Sequence, residues 1–142
     1  MFRTILFGFT VLAVAATAAV AAPQKKPPTT GPGCKPQVSV ILRGTVAAAP
    51  GGGATLPFSL LVHVTHSNSL GHAYVTASQP VTVTVNSDTK IRRGNTHGLA
   101  ALQAMLVGDR VLVQARVCKA DLAGGKTPAL TANRVGSHPA TV

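Results

Sequence analysis

In Pro80–Val85 (PVTVTV) every second residue is valine, and the residues between are threonine. Such a segment has one oily side and one wet side only where successive side chains point in opposite directions, as in a β-strand. Threonine keeps β propensity on the wet side without exposing apolar surface. The same period recurs in Pro57–His66 (PFSLLVHVTH), where Phe58, Leu60, Val62 and Val64 share one face and Ser59, Leu61, His63 and Thr65 the other. It recurs again in Asp109–Cys118, with Val111, Val113, Ala115 and Val117 inward and Gln114 and Arg116 outward. Val38–Val46 (VSVILRGTV), rich in β-branched residues, reads as an earlier strand, and Thr127–Val135 (TPALTANRV) as a weaker last one.

Between these runs stand turn-forming segments: Ala47–Thr55 (AAAPGGGAT), Ser67–Gly71 (SNSLG), Asn86-Ser87-Asp88 and Ala123–Lys126 (AGGK). His72–Ala77 reads as a short strand continuing the hairpin, and Arg92–His97 as a polar connector. Leu99–Leu106 is the one helical segment after the leader. Leu99, Leu102 and Leu106 fall at i, i+3 and i+7, Asn95 or Thr96 is placed to cap the start, and Gly108 ends it. A helix this short needs something to pack on. The order β-β-β-α-β-β predicts an all-β fold: a small five-stranded OB-like barrel with one short helix between strands 3 and 4. An open β-sandwich fits the strand count as well; the position of the helix selects the barrel.

Residues 1–21 read as a signal peptide. Arg3 is a basic start, Ile5–Val20 an apolar run, and Ala19-Val20-Ala21 a small-residue cleavage site. The run is short for a spanning anchor, which needs about 20 apolar residues. Cleavage is therefore expected after Ala21, leaving a chain without an integral membrane segment. The Pro/Lys-rich stretch 22–36 reads as an extended linker, because proline fixes φ and lacks a donor. The barrel domain is expected over 37–136, with 137–142 as a tail. Cys34 and Cys118, an even pair in an exported chain, are expected to form a disulfide. The expected location is extracytoplasmic, secreted or periplasmic.

Several short pieces resemble the secreted bacterial OB-like domains of unknown function. They are Arg43-Gly44-Thr45-Val46, Val81–Val85, Asp88-Thr89-Lys90-Ile91, Leu102, Val107-Gly108-Asp109-Arg110-Val111 and Leu130-Thr131-Ala132-Asn133-Arg134-Val135. The resemblance implies an exported, non-catalytic barrel and brings no established ligand. The chain differs in its extra Thr65–Ser78 segment and its basic charge.

The chemistry available narrows the function. The chain has three acids, Asp88, Asp109 and Asp121, and turn chemistry accounts for each. No G-x-S-x-G elbow, P-loop or dinucleotide fingerprint occurs. The expectation is therefore a protein that is not an enzyme and uses no cofactor. His63 and His66, three apart on a regular strand, point to opposite faces unless a bulge intervenes. His66 and His72 can meet across the SNSLG turn, which makes a weak metal-handling site one alternative; no metal is assigned.

The formal charge of +10 is the main functional clue, and it falls by only one when Arg3 leaves with the leader. Such a surface attracts anions. Lys90, Arg92 and Arg93 cluster just after a strand, Arg110 belongs to the next hairpin region, and these four are the expected anion-binding residues. The partners this implies are anionic polymers of the envelope or extracellular space, or lipid head groups. Oligonucleotide binding is the second alternative. It is disfavoured because single-strand binders stack bases on aromatic rings, and only Phe58 and Tyr74 remain after the leader.

Overall fold

A computed structural model describes residues 34–75 and 78–141. The expected signal peptide and almost all of the linker lie outside the described residues. The described chain forms seven strands: β1 (Gln37–Val46), β2 (Phe58–Ser67), β3 (Val81–Val85), β4 (Lys90–Arg93), β5 (Thr96–His97), β6 (Arg110–Cys118) and β7 (Leu130–His138). Two short helices, α1 (His72–Val75) and α2 (Gly98–Gln103), and two 3-10 segments, Ser69–Gly71 and Lys119–Gly125, join them.

Five strands close a barrel. β1 pairs antiparallel with β2 and β6, β2 with β3, and β6 with β7. The parallel pairing of β3 with β7, through Val83↔Leu130 and Thr84↔Thr131, completes the circuit. This is the expected five-stranded barrel with a helix between its third and fourth strands. The inward positions are the alternating apolar ones. Val40, Leu42, Leu60, Val62, Val83 and Val113 are each fully buried.

β4 was not legible as a strand. It continues along the edge of β7 that β3 begins, through Lys90↔Arg134 to Arg93↔Ser137, so β3 and β4 act as two halves of one interrupted strand. The interruption is the Asn86–Thr89 turn. The Asn86 carbonyl accepts from the Thr89 N–H at 3.1 Å, and the buried Thr89 hydroxyl donates to the Ala132 carbonyl at 2.7 Å, pinning the turn to β7. The expected polar connector Arg92–His97 is therefore a tight hairpin, with Arg92↔His97 and Arg93↔Thr96 paired.

Two further expectations are corrected. The segment from His72 is helical rather than extended. Tyr74 is buried there, and its hydroxyl donates to the Pro128 carbonyl at 2.6 Å, which ties α1 to the entrance of β7. Ahead of it, Asn68 accepts from Gly71 N and Ile41 N and donates to the Ser39 carbonyl, so its amide extends the β1 ladder beyond the last β2 pair. The leucine stripe also fails. α2 ends at Gln103, its N-cap is His97 with no side-chain bond, and it buries Ala101 and Leu102, with Met105 buried just beyond. Leu99 and Leu106 stay outside. Positions i and i+7 cannot share a face when the helix stops before the second.

The cysteines form the expected disulfide Cys34–Cys118, with Cα atoms 5.8 Å apart across a sequence separation of 84. The bridge holds the start of the described chain against the end of β6. No helix among the described residues is long and apolar enough to cross a membrane.

Candidate functional site

Residues directly opposite one another in neighbouring strands point to the same face of a sheet. The register therefore places the basic side chains of distant segments together. One row across the outer surface runs His66 (β2), Arg43 (β1), Leu112 (β6), Gly136 (β7), Arg92 (β4) and His97 (β5). The row towards α2 runs His63, Thr45, Arg110 and His138. The row on the other side runs Ile41, Gln114, Arg134 and Lys90, and beyond it Ser39 stands opposite Arg116. Successive rows are about 7 Å apart, two strand residues. Arg43, Lys90, Arg92, Arg110, Arg116 and Arg134 thus share one outer face, and none of these rows contains a carboxylate.

The three acids lie elsewhere. Asp88 is in the β3–β4 turn and Asp121 in the 3-10 segment after β6. Asp109 is buried and bound by Arg93, whose Nε donates to its Oδ2 at 2.8 Å; the Leu106 N–H donates to the same oxygen at 3.0 Å. Burial pushes the Asp109 carboxyl up. The Arg93 guanidinium and the backbone N–H groups of Leu106 and Ala140 outweigh it, holding the group below its ordinary value.

A β-bulge shapes the middle of the face. Arg43 pairs with His66 but the next residue, Gly44, pairs with Val64, so Thr65 is the extra residue of β2. The strands approach so closely here that a Cβ on Gly44 would fall on the His63 carbonyl. Bulges re-aim side chains, and this one leaves His63, Thr65 and His66 all exposed. The Thr65 hydroxyl donates to the Arg43 carbonyl at 3.3 Å, and His66 Nδ1 lies 3.1 Å from that hydroxyl. An open groove of about 620 Å³ results. Arg43, Thr65, His66, Arg110 and His138 stand around it, with Gly44 and Leu112 among its lining. A smaller groove of about 450 Å³, which also includes Arg43 and His66, adjoins Asn68.

Of the four expected anion-binding residues, Lys90, Arg92 and Arg110 are exposed on this face, while Arg93 is half-buried and committed to Asp109. Arg110 Nη2 also donates to the Thr141 hydroxyl, and Arg92 Nε to the Gly94 carbonyl at 2.8 Å. Arg43, Arg116, Arg134, His66 and His138 join the face unforeseen. Their signal was present as outward positions of alternating strands, but only the register shows that they meet. His66 and His72 line different grooves, and no group of three or more His, Cys, Asp or Glu suited to a metal ion occurs among the described residues.

The aromatic side chains of the described chain are not on this face. Tyr74 is buried, and Phe58 packs against the core. Comparison with protein-family models, with curated proteins and with solved structures finds no match. The resemblance to secreted OB-like domains therefore stands, in structure, as the small barrel alone.

Proposed function

We propose that this chain is an exported, non-enzymatic OB-like barrel that binds anionic polymers across the outer face of β1, β6, β7 and β4. The observation that carries the reading is the row pattern. Six guanidinium or ammonium groups project from neighbouring strands with no carboxylate among them. Like charges gathered this way repel, and a polyanion bound along the rows relieves the repulsion while releasing its counterions. The groove between Arg43 and Arg110 gives one repeat unit of the polymer a recess, with the Thr65 hydroxyl and the His66 and His138 rings as hydrogen-bonding groups.

Export is supported by the leader-like residues 1–21 and by the disulfide, which persists in oxidising compartments. A bacterial envelope would offer acidic glycans, phosphate-bearing wall polymers and shed nucleic acid as partners. The test is a salt titration of binding to a sulfated glycan, to polyphosphate and to a single-stranded oligonucleotide. All three affinities are expected to fall steeply and in parallel as salt rises. A salt-resistant component for the oligonucleotide alone would instead indicate base stacking and favour a nucleic-acid-binding barrel.

A further inference from the structure

Among the described residues the exposed large apolar side chains are Leu99, Leu106 and Val107, with 38, 60 and 63 % of their surface open to solvent. Scattered apolar residues need no explanation, but Leu99 lies in the first turn of α2 and Leu106 and Val107 just beyond its end, at one end of the barrel. The last two are displayed by a fixed turn. The Asp109 N–H donates to the Leu106 carbonyl at 3.1 Å, and Gly108 has φ +86°, as the third residue of a type II turn requires. The turn is anchored to β1 by Gly108 N to the Val46 carbonyl and Val46 N to the Asp109 carbonyl, each at 2.9 Å. Arg93 fastens it from the other side through Asp109. Leu106 and Val107 are thus held out into water by a braced turn.

The surroundings of this turn are also one-sided. The β1–β2 loop, 47–57, contains no charged residue, exposes Ala48 and Ala49, and is tied to α2 by Gln103 Nε2 donating to the Ala54 carbonyl at 2.8 Å. Arg110 follows the turn immediately, and Arg92 is paired with His97 at the foot of α2. Asp109, the acid here, is buried and neutralised by Arg93.

We propose that this end of the barrel docks on an anionic lipid surface. Leu106 and Val107 enter the boundary between head groups and acyl chains, and Arg92 and Arg110 meet the lipid phosphates. Charge complementarity selects this occupant over a second copy of the chain, which would bring its own cations against these. A stable protein interface needs roughly 800 Å² on each partner, more than two side chains on a protruding turn and one on the adjoining helix supply. The proposal shares Arg92 and Arg110 with the polymer-binding face but rests on the apolar turn, so the two can fail separately.

The chain contains no tryptophan, so Leu106→Trp creates a single fluorescent reporter at the tip. With vesicles of equal parts phosphatidylglycerol and phosphatidylcholine, its emission is expected to shift to the blue and to be quenched by brominated acyl chains. Pure phosphatidylcholine vesicles are expected to give a much smaller change. An unchanged emission with the anionic vesicles overturns the proposal. In a second arm, Leu106→Ser/Val107→Ser is expected to weaken vesicle binding about tenfold while leaving affinity for a sulfated glycan and the melting temperature unaltered. Unweakened vesicle binding by this double variant, or equal loss of vesicle and glycan binding, also overturns it.

Discussion

Arg93 Nε and Asp109 Oδ2 lie 2.8 Å apart, and this pair takes one cation out of the basic surface to brace the turn that leads into β6. The carboxylate is buried and the arginine partly so. Hydrogen bonds to charged groups of this kind are worth more than neutral ones, and removing one partner strands the other.

Arg93→Ala is accordingly expected to lower stability by about 2 kcal/mol, measured by denaturant unfolding, while sulfated-glycan affinity changes little. Arg110→Ala is expected to show the reverse pattern, with a small stability change and weaker glycan binding.

The same pair sets an acid limit. The Asp109 carboxyl ionises below its ordinary value of 3.8 in the fold, so its stabilising contribution is full above that value. It is lost as pH falls through the lower, folded-state value. Unfolding free energy measured against pH is expected to decline across this acidic window, and Asp109→Asn to flatten the decline while lowering stability at neutral pH.

Tyr74 gives a complementary alkaline limit. Burial pushes its phenol from 10.0 up to about 12, and it is the chain's one tyrosine, so its ionisation can be followed directly in the ultraviolet. The neutral form is favoured by folding. Its contribution is present below 10.0 and lost as pH rises towards about 12. Tyr74→Phe, which leaves the Pro128 carbonyl without its donor, is expected to cost about 1 kcal/mol.

Gly44→Ala tests the bulge. The new Cβ would overlap the His63 carbonyl, and backbone must move to admit it. A loss of about 3 kcal/mol is expected from overpacking of this kind, together with weaker anion binding as Thr65 and His66 shift. Gly52→Ala, where nothing lies within 4 Å, is the control and is expected to be near neutral.

The disulfide closes a long loop. Replacing Cys34 and Cys118 with serine is expected to lower stability by about 4 kcal/mol on the chain-entropy account, read as a drop in denaturant midpoint.

The barrel was legible because valine alternation in Val81–Val85 and Val111–Val117 follows directly from one buried side, and the disulfide because Cys34 and Cys118 had only each other. The β4–β5 hairpin was not. Lys90–Arg93 (KIRR) has a single apolar residue, Ile91, and becomes a strand only by pairing with β7 some forty residues later, in a register that local composition does not encode. The bulge at Thr65 was hidden for the same reason, since it is a mismatch between two strands and not a property of either. The candidate face suffered most. Grouping cations by nearness in sequence united Arg93 with Arg92, although their side chains point to opposite sides of β4, and separated Arg43 from Arg110 and Arg134, which the sheet gathers.

The central claim is that the placement of charge, rather than its total, creates the binding face. Two triple variants remove equal charge: Arg43→Ser/Arg110→Ser/Arg134→Ser from the rows, and Lys35→Ser/Lys119→Ser/Lys126→Ser from exposed positions near the disulfide and the 3-10 segment. Affinity for polyphosphate is measured against salt concentration. The row variant is expected to lose most of the affinity, with the slope of log affinity against log salt falling by about two to three, while the other variant stays close to the parent. Equal losses from both variants would contradict the account.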